Sequence, residues 1–423
     1  MQKRRKLGRG VCVVGAGMSK FGMFRDRDSR DLLVEAYNEM RESVDKGINP
    51  EDIECIWVGN YSSDFYLGQG HWGPIVADLL GHTPKPVIRT EGACASSTLA
   101  FKDGVMAIAS GMYDVVLCGG VEEMSKVTTE VATEGLATAL DKPYEGAVGF
   151  TFPGVFAATA TAYMDRYKGC TPDHFKMVSI KSHENAPFNP KAQFPYTVRD
   201  MMNQRIARAQ KRGLPVPEWK DEWDYLHDLR ANPMIASPLQ LMDCCPISDG
   251  ASFILLVAEE IARNFTDNPI HVIGIGQGSG RPLHTKEDLT YFEANRNAAK
   301  EAYGMSGIEP KDVQFSEVHD CFSIAELIHM EDLGYVKQGQ AWKAVAEGYT
   351  KRDGPMPINT SGGLKSKGHP VGATGTAQMV EVFLQLRQQA GPRQIPNKNL
   401  RIGGSHNLGG TGGTCTLCLF ERR

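Results

Sequence analysis

Residues 88–124, IRTEGACASSTLAFKDGVMAIASGMYDVVLCGGVEEM, decide the fold of this chain. The order of β-forming, small and apolar residues predicts a strand, a sharp turn, a helix and a second strand. The turn places Cys94 among small residues at the N-terminus of the helix. Backbone N–H groups and the helix dipole favour an anion there, so we expect the Cys94 thiolate to be accessible near neutral pH. A buried structural cysteine is the alternative, and this stretch alone does not choose between the two.

The composition sets limits on the fold and on the partners. The chain has 423 residues, more than the ~250–300 at which single hydrophobic cores stop growing, so we expect two or three packed units. Lysine plus arginine number 46 against 50 acidic residues, and no basic stripe with interleaved aromatics occurs, so no nucleic-acid partner is expected. No apolar run approaches the ~20 residues of a membrane span.

The ten cysteines are scattered and do not form two C-x-x-C pairs at the spacing of a metal site. The single pair with this spacing, Cys415 and Cys418, lies in a predicted strand. We therefore expect reduced thiols, a cytoplasmic location and no metal site.

The chain repeats its own pattern. The predicted strand, helix and strand of the first half lie at 10–15, 30–46 and 48–60, and those of the second half lie at 271–276, 294–304 and 308–320. A glycine-rich turn entering a helix follows in each half, at Cys94 and again around GHPVGATG. The sequence thus predicts two similar β-α-β-α-β units.

Three segments follow from this repeat. The first unit covers residues 1–125 and is completed by about 245–263, and the second covers 264–423. Residues 126–244 interrupt the pattern and are expected to be an inserted loop domain. Within it, residues 200–232 mix charges with aromatic rings and are predicted to form a solvated helix pair or a contact surface. A partner-binding patch built on Trp219, Trp223 and Tyr225 is the alternative.

Three short motifs bear chemistry: HDCF at 319–322, GHP at 368–370 and HNLGG at 406–410. They fall at strand ends and glycine-rich loops in the second half. His369 stands at the start of a helix, where it can take the proton of a facing thiol. Each motif alone is weak, because a single histidine is more often structural.

Together the motifs carry a family resemblance. GACASS, CGGVEEMS, SDGA, NTSGG, GHPVGATG and the closing glycine-rich loop, in this order, resemble the thiolase superfamily. HDCF and HNLGG, in place of the common NEAF and C-x-G motifs, resemble the sterol-carrier-protein type. This resemblance implies an α/β thiolase fold: two similar βαβαβ-type halves packed as a five-layered α-β-α-β-α structure with an inserted loop domain. It also implies a homodimer or a larger assembly.

The resemblance implies a role for each site residue. Cys94 would be the acylated nucleophile, and His369 its base and an enolate-side hydrogen-bond donor. His319 would stand where most thiolases have asparagine, holding a catalytic water, and Cys321 would act as the second acid/base. The amides of Cys94 and Gly409 would form the oxyanion hole.

The C-terminal loop departs from the family pattern. Asn407 stands where the usual catalytic cysteine stands, and an amide cannot shuttle a proton, so that duty would fall to Cys321. Cys245 and Ser248, in DCCPISDGA, are candidates for contacting the pantetheine arm of coenzyme A. A structural role for both is the favoured alternative.

The implied reaction is the cleavage of a 3-oxoacyl-CoA by coenzyme A, or the reverse Claisen condensation, through an acyl-cysteine. Coenzyme A would be a co-substrate, with no permanently bound cofactor. An aryl or branched substrate such as benzoylsuccinyl-CoA is one candidate, and a small zinc-ribbon/OB-fold protein is a possible partner.

Three other functions stay open: a ketosynthase-like condensing enzyme, a retro-aldolase of the same superfamily, and a non-catalytic lipid-binding or scaffold homologue. Retention of both Cys94 and Cys321 favours the thiolase reaction.

Overall fold

The computed structural model describes residues 5–423. Its strands are β1 Val11–Met18, β2 Cys55–Gly59, β3 Val87–Thr90, β4 Val115–Glu122, β5 Met234–Ala236, β6 Leu239–Gln240, β7 Gly250–Ala258, β8 Ile270–Ser279, β9 Phe315–Glu317, β10 Ile402–Gly409 and β11 Thr414–Arg422. Its α-helices are α1 Ser29–Glu42, α2 Ser63–Tyr66, α3 Trp72–Leu79, α4 Ser96–Ala109, α5 Thr129–Leu136, α6 Phe152–Arg166, α7 Pro172–Asn185, α8 Val198–Lys211, α9 Glu222–His227, α10 Glu293–Ser306, α11 Ser323–Asp332, α12 Ala341–Ala346, α13 Gly363–Lys367 and α14 Thr374–Leu386.

The main sheet has the strand order β3-β2-β4-β7-β1-β8-β11-β10-β9. In the first half β2 runs parallel to β3 and β4, and β7 is antiparallel to β4 and β1. In the second half β9 and β10 are parallel, and β11 is antiparallel to β10 and β8. Ser316 and Ile358 add a parallel bridge beside β9, in the place that β3 takes in the first half. The predicted internal repeat is therefore confirmed.

Helices form layers on both sides of the two half-sheets. The outer helix α1 packs on β1 and β7, and the outer helix α10 packs on β8 and β11. Between the halves lie α4 and α14, which contact each other. Their shared core contains Phe101 of α4 and Phe383 of α14, together with Ile254 and Phe420 from the two half-sheets. The layered α/β fold predicted from the sequence is confirmed.

Two glycines let the central helices approach closely. A β-carbon at Gly375 in α14 would lie 1.9 Å from the Thr98 Oγ1 of α4. At Gly120 in β4 it would lie 2.0 Å from the carbonyl oxygen of Gly372. Because no larger residue fits at these contacts, the glycine-rich motifs bring the turn before α4 next to the loop before α14.

The chain leaves the first half-sheet after β4 and returns to it at β7, between β4 and β1. The intervening segment contains α5 to α9 and the small hairpin β5–β6. Thr197 and Asp200 form a capping box that starts α8. The division at residues 125, 244 and 263 stays a prediction.

The aromatic residues of the insertion pack on their own segment. The Trp219 indole N–H donates a hydrogen bond of 3.0 Å to Asp228, and its ring meets that of Tyr225 edge-on at 5.1 Å. Tyr225 is buried in a small cluster with Leu226 and Met202. Tyr225 is thus covered by its own segment, whereas Trp219 is half-buried and the partner-binding patch stays a prediction.

Within residues 5–423, no helix is long and apolar enough to cross a membrane. All ten cysteines are free thiols.

Candidate active site

Cys94 lies in a 3₁₀ turn, Ala93–Ala95, directly before α4. Ala93 has a φ of 51°, a left-handed conformation that is uncommon outside glycine and is often found beside functional residues. Ser96 holds the turn, since its hydroxyl accepts from the amide of Gly92 and donates to the carbonyl of Ala93. The turn therefore fixes the position of the sulfur.

Gly409 forms the opposite wall of this turn. A β-carbon there would lie 2.2 Å from the carbonyl oxygen of Gly92. The amide of the next residue, Gly410, donates toward the Cys94 sulfur. The end of β10 thus lies beside the turn, as the motif order predicts.

Cys94 is a protonated thiol in the resting protein. Burial raises its pKa to about 12; the amides of Gly410 and Cys94 oppose this rise, while the nearby Glu122 adds to it. The expectation that the helix terminus makes the thiolate accessible near neutral pH is wrong, because desolvation outweighs the local amides. The sulfur consequently needs a base.

His369 has the hydrogen bonds of such a base. Its Nδ1 lies 2.7 Å from the Oγ1 of Thr374, whose single proton goes to the carbonyl of Pro370 at 2.9 Å. Thr374 must therefore accept the Nδ1–H, which leaves a lone pair on Nε2. The backbone N–H of His369 donates to the Ser248 hydroxyl at 2.8 Å.

The sulfur and the two histidines converge. One ligand atom each from Cys94, His319 and His369 lie within 4.8 Å of one another, and the two rings are nearly perpendicular with centroids 4.9 Å apart. Burial lowers the pKa of His369 to about 3. Burial, and then the neighbouring histidines, hold the pKa of His319 well below its usual value. Both imidazoles are therefore neutral. Cys94, His319 and His369 together are also a set of donor atoms of the type that binds zinc.

His319 is oriented from behind by Asn407. The amide nitrogen of Asn407 lies 3.0 Å from Nδ1 of His319 and 2.9 Å from Oε1 of Gln378. The Nε2 of His319 is buried and has no hydrogen-bond partner in the part of the chain that the structure describes. This atom is therefore free for a substrate.

Cys321 belongs to the same buried environment. It lies between β9 and α11, and burial, followed by the thiols of Cys245 and Cys94, raises its pKa well above 9. The backbone N–H of Cys245 donates to the carbonyl of Cys321 at 2.9 Å. A thiol that stays protonated at neutral pH is suited to donating a proton to a carbanion.

Ser248 supports the GHP loop. Besides accepting from His369, its buried hydroxyl donates to Gln193 at 2.5 Å. Neither Ser248 nor Cys245 is placed against a substrate by these contacts, and their role toward coenzyme A stays a prediction.

Sequence reasoning missed the supporting residues. Thr374 follows His369 by five positions at the start of α14, so its role could have been inferred locally. Gln378 lies four positions further along α14 and could have been inferred in the same way. Gln193 comes from a distant segment, and nothing in the motifs indicates it.

Two family models match the chain. The one described as "Thiolase, N-terminal domain" matches residues 11–260, and "Thiolase C-terminal domain-like" matches residues 277–422. The chain belongs to the thiolase family. It is an enzyme of the acyltransferase class.

The curated relatives of this thiolase bear two different names. It is 42% identical over 417 residues to an acetyl-CoA acetyltransferase of Methanothermobacter thermautotrophicus, with 98% of this chain and all of the relative covered. A protein of the same name from Methanocaldococcus jannaschii is 39% identical, again over 98% of this chain and the whole relative. Human sterol carrier protein 2 is 30% identical, with 98% of this chain and 72% of the relative covered.

Solved structures agree on the fold. The Ltp2-ChsH2(DUF35) aldolase matches with a TM-score of 0.78 at 23% identity, with 98% of each chain covered. Human mitochondrial 3-ketoacyl-CoA thiolase in complex with CoA matches with a TM-score of 0.67 at 18% identity over both whole chains.

Proposed function

We propose that this thiolase cleaves a 3-oxoacyl-CoA with coenzyme A and catalyses the reverse Claisen condensation. The observation that carries the proposal is the convergence of Cys94, His319 and His369 within 4.8 Å in a buried site. Acetoacetyl-CoA is the proposed substrate, since the two archaeal relatives bear the name acetyl-CoA acetyltransferase.

In the first half-reaction, Nε2 of His369 takes the thiol proton of Cys94, and the sulfur attacks the 3-keto carbon. The amides of Cys94 and Gly409 receive the resulting oxyanion. The C2–C3 bond then breaks, and the enolate of acetyl-CoA leaves. The thiol of Cys321 protonates its α-carbon, and Cys94 carries the acyl group.

In the second half-reaction, the proton on His369 first returns to the Cys321 thiolate. The Nε2 of His369 then takes the thiol proton of coenzyme A, which attacks the acyl-Cys94 thioester. Its sulfur takes the acyl group, and Cys94 regains the proton held by His369. Two easier steps thus replace one difficult step.

A cavity of about 810 Å³ in the insertion is the proposed site for the nucleotide of coenzyme A. Arg208 and Arg212 line it, and neither guanidinium has a hydrogen-bonded or ion-paired partner among the described residues. Trp219 contributes an aromatic wall. Unpaired guanidinium groups beside an indole suit the phosphates and the adenine of coenzyme A.

A short chain of contacts links this cavity to the active site. Phe194 lines the cavity and follows Gln193, whose side chain accepts from Ser248. Ser248 in turn holds the backbone of His369. The pantetheine arm would follow this path toward Cys94.

Replacing Arg208 with alanine should raise the KM for coenzyme A several-fold and leave kcat unchanged, since a contact remote from the reaction is equal in the ground and transition states. Steady-state kinetics with coenzyme A and dephospho-coenzyme A would measure the effect. Lys211→Ala, on the same helix but outside the cavity lining, is the matched control. Equal KM changes in both variants would reject this assignment.

We also propose a homodimer formed through β3. This strand is the edge of the main sheet, and its Ile88 is 45% exposed. Unpaired strand edges favour pairing with another chain. Ile88→Asp should shift the assembly toward monomer in analytical ultracentrifugation, whereas Val34→Asp, on the outer helix α1, should not. A monomeric wild-type protein at low micromolar concentration would refute the dimer.

A small zinc-ribbon/OB-fold partner and a cytoplasmic location complete the proposal. The matched aldolase pairs Ltp2 with ChsH2(DUF35) by name, which supports a partner, and ten free thiols support a reducing compartment. Co-expression with such a protein should change yield or activity.

The decisive experiment incubates the protein with a panel of acyl-CoAs and identifies the group on the Cys94 peptide by mass spectrometry. Acetylation from acetoacetyl-CoA, absent in Cys94→Ala, is expected. Benzoylsuccinyl-CoA forms the aryl arm of the panel, and a 3-hydroxyacyl-CoA without coenzyme A forms the aldolase arm. Cleavage in the aldolase arm without acylation of Cys94 would overturn the thiolase assignment.

A further inference from the structure

The HNLGG loop places two polar side chains behind His319. His406 and Asn407 are neighbours on β10, and both are fully buried. Asn407 contacts the ring of His319, and His406 contacts its backbone. Since Asn407 cannot carry a proton as the usual cysteine does, its effect on this ring needs another explanation.

A chain of hydrogen bonds leads from Asp332 to the backbone of His319. The Asp332 carboxylate determines which group donates and which accepts in each of them. The Asp332 carboxylate can only accept, so the Asn295 amide at 3.2 Å must turn its nitrogen toward it. The same nitrogen lies 2.8 Å from Nδ1 of His329, while the Asn295 oxygen lies 2.9 Å from Nε2 of His406. His406 therefore donates from Nε2 and keeps a lone pair on Nδ1.

Both backbone groups of His319 meet this chain. Its N–H points at Nδ1 of His406 at 3.5 Å, and the ring of His329 lies close to its carbonyl oxygen. The position of His319 is thus fixed without Asn407. What Asn407 can still decide is which ring nitrogen of His319 carries the proton.

We propose that Asn407 is a positioning residue that keeps His319 in the tautomer with a proton on Nε2. The Asn407 amide nitrogen would donate one hydrogen to Nδ1 of His319 and the other to Oε1 of Gln378. The Nε2–H of His319 is then an unpaired donor in the site that His319 shares with Cys94 and His369. The opposite orientation would leave both His319 and His369 with an acceptor at Nε2 and no imidazole donor for a substrate oxygen.

This arrangement gives His319 a defined task, and the inference rests on the proposed thiolase function. During C2–C3 cleavage, negative charge develops on the oxygen of the departing acetyl-CoA enolate. The Nε2–H of His319 donates to that oxygen, directly or through a water. Acyl exchange between Cys94 and coenzyme A forms no enolate and does not need this donor.

Asn407→Asp tests the tautomer. A carboxylate accepts the Nδ1–H, so neutral His319 loses its Nε2 proton, and cleavage at pH 8.5 should slow by about 10²-fold, as for loss of one oxyanion donor. On acidification the pair formed by the His319 ring and the new carboxylate takes up a proton, which restores Nε2–H, so cleavage should recover. Acyl exchange with labelled coenzyme A should stay near the wild-type rate at both pH values.

Gln378→Glu is the matched control. It places the same charge one hydrogen bond further from His319, where Asn407 still donates to the ring, so no new limb should appear in its pH profile. Asn407→Ala removes the donor without adding charge, and it should slow cleavage at all pH values, by less than Asn407→Asp does at pH 8.5. It serves as the second variant if Asn407→Asp does not fold.

Four results would each reject one of these claims. Wild-type protein without cleavage or exchange would refute the proposed function itself. With an active wild type, an unchanged pH profile in Asn407→Asp overturns the inference. Equal loss of exchange and cleavage in Asn407→Asp, or unimpaired cleavage in Asn407→Ala, does so too.

Discussion

His319 and His369 show how the same side chain acquires two different roles a few ångströms apart. Thr374 leaves the Nε2 of His369 as an acceptor, whereas the proposed donation from Asn407 makes the Nε2 of His319 a donor. Both rings are neutral because burial lowers the pKa of each. The hydrogen bond at Nδ1 of each ring therefore determines whether the Nε2 of that ring accepts or donates a proton.

The two thiols, Cys94 and Cys321, should likewise have different roles, which substitutions can distinguish. Cys94→Ala should abolish both acyl exchange and carbon–carbon cleavage, because no acyl-enzyme forms. Cys321→Ala should slow cleavage by ~10²–10⁴-fold, the usual contribution of general acid–base catalysis, and leave exchange intact. Isotopic exchange between labelled coenzyme A and acyl-CoA, beside the full cleavage assay, measures both.

Cys170→Ala is the control for this pair of variants, since Cys170 is a buried thiol in the same core cluster as Cys321. It should leave both half-reactions unchanged. If Cys321→Ala lowers exchange and cleavage equally, Cys321 acts only through packing, and the two-thiol mechanism is wrong.

At the scale of elements, the HDCF loop is fastened to α13 by a buried ion pair. Asp320 lies 2.8 Å from Nζ of Lys365 and accepts from the amide of Leu364 at 2.7 Å. Burial raises the pKa of Asp320, but Lys365 and the hydrogen bonds together hold it below its ordinary value. The loop that bears His319 and Cys321 is thereby fixed to the segment that leads to His369.

Removing this carboxylate should destabilise the protein. Asp320→Ala leaves Lys365 buried without its partner, which typically costs about 3–5 kcal/mol. Thermal and urea unfolding would show a lowered midpoint. Asp165→Ala, which removes an exposed carboxylate paired with Lys168, should leave the midpoint unchanged. Similar midpoints for both variants would show that the buried pair does not hold the loop.

The strand-turn-helix around Cys94, the internal repeat and the motif order could all be predicted, because each rests on residues near one another in the sequence. The pKa of Cys94 could not, since the helix terminus is a local feature whereas burial comes from distant segments. Contacts such as Ser248 with His369, or Asn295 with His406, join residues more than 100 positions apart. The motifs indicate which residues are catalytic. They do not indicate which neighbouring residues determine the protonation state and the tautomer of those residues.

At the scale of the molecule, buried ionisable groups should govern stability against pH. Burial lowers the pKa of His183 to about 4 and that of His406 to about 3, and the pKa values of His369, His319 and His329 also lie far below 6.5. Below pH 6.5 the unfolded chain binds protons at these five sites and the folded chain does not, so acid favours unfolding. Buried carboxyls act oppositely: burial raises the pKa of Glu122 and Glu317 to about 7 and that of Asp332 to about 6.

The balance of these groups predicts the shape of the pH curve. Burial also lowers the pKa of His82 and His271 and raises the pKa of five further carboxyls, Glu39, Asp103, Asp243, Glu326 and Glu331. Between about pH 6 and 4.5 the two sets oppose each other, so stability should change little with pH there. Below about pH 4.5 the unfolded carboxyls also bind protons, so the opposing contribution of the buried carboxyls ends and stability should fall. Above pH 6.5 only the carboxyls act, so stability should be greatest near that pH.

His183→Gln isolates one histidine outside the catalytic trio. His183 of α7 is buried, and its Nδ1 donates to the carbonyl of Tyr196 at 3.0 Å. Whatever the variant costs at pH 7, it removes one site that binds a proton only on unfolding. Between pH 7 and pH 5 it should therefore lose about 2 kcal/mol less stability than the wild type. Unfolding midpoints measured across this range at constant ionic strength test the prediction, and parallel curves for the two proteins would contradict it.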